Sequence, residues 1–223
     1  TFYGHACFGI EVNGINLIID PFIRPNKLAE KIDIDEIKAD YILITHGHED
    51  HVADALYLAQ KNGAIIVSNF EIVSWFGKQG YEKGHPMNHG GKKDFGEFSV
   101  KYVNAIHSSV LPDGTYGGNP GGFVLEANGK SIYFAGDTAL TYDMKLIAEE
   151  FELTAAVLPI GDNFTMGYED AAKAAGFLSC NSIIGMHYNT FPYIEIDTEA
   201  AKNYFTNNEK DLILMDIGKN LEL

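Results

Sequence analysis

Within the segment Thr45-His46-Gly47-His48-Glu49-Asp50-His51, four side chains able to bind a metal ion occupy six positions, directly after the apolar run Tyr41-Ile42-Leu43-Ile44. Neutral imidazole nitrogens and carboxylates are ligands that divalent ions such as zinc and manganese accept. Spacing adds direction to composition. If the apolar run is a buried strand, His46 and His48 leave its end two residues apart, point to the same side and can grip one ion. Asp50 and His51 then fall in the turn before a helix predicted from Val52 and closed by Lys61-Asn62-Gly63, where they can hold a second ion beside the first. Any one of these residues alone reads as a polar loop residue, and Asp50 alone as a helix cap. Four together, between a strand and a helix, read as a metal site.

Such a segment needs rigid elements around it, and the hydrophobic pattern supplies them. Phe8-Gly9-Ile10-Glu11-Val12 and Ile15-Asn16-Leu17-Ile18-Ile19 flank Asn13-Gly14, the dipeptide suited to a two-residue hairpin turn, and Asp20-Pro21 ends the sheet. After the histidine-rich segment come a helix over 52–59, a strand at Ala64-Ile65-Ile66-Val67 and a helix over 69–78. Strands resume with Phe98-Ser99-Val100-Lys101-Tyr102-Val103. A second hairpin joins Phe123-Val124-Leu125-Glu126-Ala127 to Ser131-Ile132-Tyr133-Phe134 across Asn128-Gly129. The last third is predicted to alternate helices over 142–150, 169–178 and 198–205 with strands over 155–158, 183–186 and 212–215. Sheet followed by alternating helix and strand, twice over and with no linker, argues for one domain over 1–223 with two sheets face to face and helices outside.

Two ions need more ligands than one loop offers. His107 follows Val103-Asn104-Ala105-Ile106; Asp137, in Gly136-Asp137-Thr138, follows the 131–135 strand, with Gly136 permitting close backbone approach; His187 follows Ile183-Ile184-Gly185-Met186. Each alone could be a hydrogen-bonded boundary residue or part of a turn. Their shared position after apolar strands would bring them to one rim. Thr45, Asp54 and Thr138 are candidates to orient ligands. His85-Pro86-Met87-Asn88-His89 has a helical zinc spacing, but Gly84, Pro86 and Gly90-Gly91 argue against a helix. A loop or edge strand there could line a substrate cleft, with His85 or His89 as proton donor or anion contact. His5 either reaches the rim or hydrogen-bonds in the core. Asn163, with Phe164 and Met166 between Gly161 and Gly167, belongs to a substrate-facing loop or to a tight turn seated in the core.

His46, His48, Asp50 and His51 match without a gap the HxHxDH signature of the metallo-β-lactamase superfamily, which the chain resembles. The patches Tyr3-Gly4-His5-Ala6-Cys7-Phe8, Gly121-Gly122-Phe123 and Ile160-Gly161-Asp162-Asn163-Phe164-Thr165-Met166-Gly167 are similar to a small bacterial group of metal-dependent hydrolases within it, related to the lactonase that opens ascorbate 6-phosphate. The resemblance covers most of the chain. It implies an α+β fold, a four-layer αββα sandwich. It also implies that His46, His48 and His107 bind one ion, that Asp50, His51 and His187 bind another, and that Asp137 joins both. The shared chemistry is attack by a metal-bound hydroxide, with Asp50 orienting it, on a small ester, lactone or phosphorylated metabolite. Zinc is the first expectation for the two ions and manganese the second. His48 stands where oxygen-reducing diiron relatives carry a glutamate, which favours hydrolysis. A phosphodiesterase or nuclease of the same superfamily and a non-catalytic metal-binding protein are the alternatives.

Composition narrows the partners. Among 223 residues, 31 acids against 16 bases give a formal charge of -15, which disfavours a broad surface for nucleic-acid phosphates, so long nucleic acid is not expected. A small-molecule substrate is. The chain shows no membrane-length apolar run and no basic-then-apolar leader, and its two cysteines are not paired as CxxC, so no membrane partner is expected and a reducing cytoplasm is the default compartment. Aromatic residues at 12% leave a homo-oligomer open.

Overall fold

The computed structural model describes residues 1–223 and divides its strands between a six-stranded and a seven-stranded sheet. In the first, β1 (Phe2–Gly4), β2 (Cys7–Val12) and β3 (Ile15–Ile19) pair antiparallel, and β4 (Tyr41–Leu43), β5 (Ile65–Asn69) and β6 (Gly84–Met87) continue parallel to β3. The second repeats this plan. Its β7 (Lys92–Asp94), β8 (Ser99–Asn104), β9 (Gly121–Ala127) and β10 (Lys130–Phe134) are antiparallel, and β11 (Ala155–Pro159), β12 (Ser182–Met186) and β13 (Asp211–Ile213) extend it in parallel. Both hairpins turn as the dipeptides require, with φ of 50° and 81° at Asn13 and Gly14 and of 52° and 73° at Asn128 and Gly129.

Alternation along the strands sorts the side chains between two cores. Leu17, Ile19, Leu43 and Val67 face the second sheet and meet Val100, Tyr102, Phe123 and Leu125. Their neighbours Ile18, Ile42, Ile44 and Ile66 face outward onto α1 (Glu49–Val52), α2 (Ala55–Asn62) and α3 (Phe70–Lys78), burying Val52, Leu58, Ile72 and Phe76. On the far side α4 (Met144–Glu150), α5 (Tyr168–Phe177) and α6 (Thr198–Asn207) cover the second sheet through Met144, Ile147, Ala171 and Phe205. Strands buried on both faces are continuously apolar, which is why 41–44 and 155–158 contain no charge. Each such Leu, Ile or Phe taken fully out of water stabilises the fold by roughly 1.5–3 kcal/mol. The layers are helix, sheet, sheet, helix. No helix is long and apolar enough to cross a membrane.

One local expectation needs correction. The helix expected over 52–59 is two helices, so Asp50 and His51 lie inside the single turn of α1 rather than in a turn before it. Asp54 separates the two, because its carboxylate accepts from the backbone N–H groups of Ile23 and Arg24 at 2.7 and 2.9 Å, and its own backbone leaves helical geometry at φ -104°, ψ 1°. The segment around His85, expected as a loop or an edge strand, is the edge strand β6, held by backbone pairing to β5. Lys92–Asp94, all exposed, pairs as an edge strand of the second sheet without any apolar pattern to announce it.

Candidate metal centre

Thr45 ends the approach from β4, and every polar atom it has is committed. Its N–H donates to Asp20 Oδ1 at 2.8 Å and its hydroxyl to Asp20 Oδ2 at 2.6 Å; its carbonyl accepts from the Tyr102 hydroxyl at 2.8 Å and from Gly121 N–H at 3.1 Å. The peptide that launches the histidine-rich segment is therefore fixed from both sheets. Gly136 packs against it from the Asp137 turn at φ +61°, where a Cβ would come within 2.7 Å of Thr45 Cβ. Only glycine combines that conformation with that proximity.

On this frame the donors converge. His46, His48 and His107 each place one ring nitrogen within 4.8 Å of the others; His5, Asp50, His51 and His187 form a second such group, and His46, His51 and Asp137 a third that spans both. Asp137 Oδ2 lies 3.9 Å from His46 Nε2, 3.5 Å from His107 Nε2 and 3.0 Å from His187 Nε2, while Oδ1 lies 3.5 Å from His51 Nε2. Asp50 Oδ2 lies 2.9 Å from His5 Nε2, 3.7 Å from His187 Nε2 and 3.9 Å from His51 Nε2. All seven donors selected from the sequence meet in one place, and His5 joins them.

Hydrogen bonds behind the rings decide which nitrogen faces inward. The Thr45 hydroxyl proton is spent on Asp20, so its oxygen accepts from His46 Nδ1–H at 3.1 Å and leaves Nε2 directed at Asp137. Asp20 Oδ2 accepts from His51 Nδ1–H at 2.8 Å, again leaving Nε2 inward. His48 presents Nδ1 instead, 3.0 Å from His46 Nε2, with its Nε2 at 3.3 Å from the Ser108 hydroxyl. Partners of this kind fix ring orientation at metal sites.

Electrostatics within the cluster pull in opposite directions. Burial pushes His46 well below the usual imidazole range, and the His51 charge adds to this. Burial would lower His51 too, but Asp137, Asp20 and Asp50 outweigh it and hold the ring protonated. His187 is likewise raised to about 9, burial being overcome by Asp137. Burial would raise Asp50 and Asp137, yet the surrounding histidines keep both carboxylates ionised. Protons thus stand where a cation can replace them. His51 Nε2 and Asp137 Oδ1, both buried, face each other at 3.5 Å without closing a hydrogen bond. A divalent ion accepts both donors, and imidazole with carboxylate is the donor set that borderline ions prefer. The residues fit a metal.

Not every residue selected from the sequence reaches the cluster. Asp54 serves the Ile23–Arg24 backbone, and Thr138 Oγ1 accepts from Ile106 N–H at 3.0 Å, steadying the turn beside His107. His85 packs edge-on against Phe95, and His89 stacks on Tyr102 with Nε2 at 2.9 Å from the Pro120 carbonyl; neither belongs to the clustered donors. Asn163 is exposed in the loop after β11 at φ 57°. Asp20 is the functional residue that sequence reasoning passed over. Its signal is the repeated plan: it follows the first hairpin as Asp137 follows the second. Asp20, His5 and His187 also hold positive φ of 45°, 57° and 54°, a strain that non-glycine residues carry where the surroundings impose it.

The model of the β-lactamase superfamily domain matches residues 1–187. A UPF0173 metal-dependent hydrolase of Christiangramia forsetii is 57% identical over the whole chain and 99% of its own length, and one of Flavobacterium johnsoniae is 58% identical with the same coverage. Among solved structures, Igni18, a novel metallo hydrolase of Ignicoccus hospitalis, superimposes with a TM-score of 0.88 at 33% identity, covering 98% of this chain and 95% of its own. The donor cluster, the paired sheets and these likenesses agree: the chain belongs to the metallo-β-lactamase superfamily, in its UPF0173 group of metal-dependent hydrolases.

Proposed function

We propose that this hydrolase works with two divalent ions, zinc before manganese, on a small ester, lactone or phosphorylated metabolite in the cytoplasm. His46, His48 and His107 would hold one ion, Asp50, His51 and His187 the other, and Asp137 both. The observation that carries this is the position of Asp137, whose two carboxylate oxygens lie 3.0–3.9 Å from four histidine nitrogens drawn from both groups.

When bound, divalent ions supply Lewis acidity toward a carbonyl or phosphoryl oxygen and lower the pKa of a water toward about 7. The protein's own residues do the rest. Asp20 and Thr45 keep the Nε2 atoms of His46 and His51 turned inward, sparing reorganisation during the reaction. Asp50, ionised and bound by His5 on Oδ2, can accept a hydrogen bond from the attacking water through its other oxygen and orient it. The water oxygen forms the new bond to the acyl or phosphoryl centre, the bond to the leaving oxygen breaks, and a proton ends on that oxygen. No serine or cysteine nucleophile is needed.

Asp137→Ala tests the reading. Wild-type protein should carry about two equivalents of metal after reconstitution. The variant should lose at least half of it, together with turnover of simple esters. Unchanged metal content would remove Asp137 from the site.

A further inference from the structure

Apart from the histidine donors themselves, the loops that carry or border the site contain no basic residue. Segments 44–54, 104–119, 135–143, 160–167 and 187–197 include not one lysine or arginine, while Glu49, Asp113, Asp143, Asp162, Glu195 and Asp197 add negative charge. Arg24, the basic residue nearest Asp20 in the chain, is already engaged: its Nε donates to Asp54 Oδ1 at 2.5 Å and its guanidinium lies 4.3 Å from the centre of the Tyr57 ring.

Large apolar side chains stand on those loops instead. Ile106, beside His107, is 52% exposed; Val110 is 46%, Phe164 53% and Tyr193 75% exposed. The loops of Ile106 and Phe164 are tied to the Asp137 turn. Ile106 N–H donates to Thr138 Oγ1, next to Asp137, and Met166 N–H donates to the Thr138 carbonyl at 3.1 Å, which sets the Phe164 loop against the same turn. Gly161 lies so close to the His187 carbonyl that a Cβ would approach it to 2.1 Å, and the rings of Phe164 and Tyr193 are 6.1 Å apart. Phe191, two residues before Tyr193, packs its ring 5.2 Å from that of His5.

Single exposed apolar residues are ordinary. Six stand on these loops; setting aside Tyr116 and Tyr142, the second of which lies under Lys145, the remaining four flank the polar cluster on segments without lysine or arginine and set a preference. A phosphorylated ligand is usually met by Arg, Lys or a helix N-terminus. Here a phosphate remote from the reacting bond would face carboxylates and apolar surface. Each methylene that covers such surface gains about fourfold in affinity.

We propose that the substrate is a small uncharged ester or lactone with an aromatic or aliphatic substituent that Ile106, Val110, Phe164 and Tyr193 cover, and that substrates carrying a phosphate remote from the reacting bond are excluded. This rests on the metal reading above and selects within it. The probes are acetohydroxamate, benzohydroxamate and 4-carboxybenzohydroxamate, which share one chelating head, titrated by calorimetry into zinc-reconstituted protein. Benzohydroxamate should bind about tenfold or more tighter than either of the others. In the surface double variant Phe164→Ala/Tyr193→Ala, with zinc content unchanged, the advantage over acetohydroxamate should shrink below threefold. Equal binding of the three probes, tighter binding of the carboxylate, or an advantage that survives the double variant overturns the proposal. Failure to retain zinc at all would show before any probe is compared; it sinks the metal reading and this inference with it.

Discussion

Asp20 Oδ2 lies 2.8 Å from His51 Nδ1, and the same oxygen receives the Thr45 hydroxyl at 2.6 Å. One buried carboxylate therefore orients His51 directly and His46 through Thr45. Asp20→Ala should leave the fold intact while metal affinity falls about 10–100-fold, because both rings lose their anchor. Chelator competition against zinc measures it, and unchanged affinity would reduce Asp20 to a structural residue.

His5 holds Asp50 at 2.9 Å while its Nδ1 engages the Thr190 hydroxyl at 2.9 Å. Asparagine tolerates the left-handed backbone at this position but is too short to reach Asp50. His5→Asn should therefore reduce kcat about tenfold or more with KM and metal content nearly unchanged, as expected for an orienting contact. Parallel loss of bound metal would instead make His5 a ligand.

Gly136→Ala places a methyl group against Thr45 and Gly121 at φ +61°. The substitution should destabilise the protein by about 1–3 kcal/mol from backbone strain alone, and the contact adds to that. A urea midpoint equal to wild type would mean that the turn relaxes freely.

Burial pushes the Cys7 thiol well above its ordinary 9.0, with Asp20 and Asp54 adding to the shift, and burial raises the Tyr102 and Tyr133 phenols well above 10.0. The unfolded chain gives up these protons first, so their contribution is complete below about pH 9 and is lost as pH rises beyond it. Cys7→Ala should flatten the fall in stability between pH 9 and 10, read from denaturant midpoints in excess chelator. An identical slope would assign the fall elsewhere.

Local chemistry made part of this molecule legible. Asn13-Gly14 and Asn128-Gly129 specify their turns by backbone angle alone, and Gly63, at φ 70°, stops α2 where expected. The apolar runs at 41–44 and 155–158 mark buried parallel strands because both faces need covering. The donors at 46–51 are readable because they are contiguous. His107, Asp137 and His187 are readable only as positions after strands, and their joint placement depends on pairing across both sheets. Asp20 was illegible singly, since it acts through residues 25 and 31 positions away. β6 and β7 carry no apolar period; backbone pairing with a neighbour already in place defines them.

The repeated plan of the two sheets also has a mechanical consequence. His46, His48, Asp50 and His51 come from the first half of the chain and His107, Asp137 and His187 from the second, and the two halves meet at the donors. An ion gripped by both would act as a cross-link between distant parts of the sequence, and opening the sandwich would require its release. Release of such an ion would then limit the lifetime of the metal-loaded protein, and unfolding in excess chelator should keep pace with the loss of bound metal.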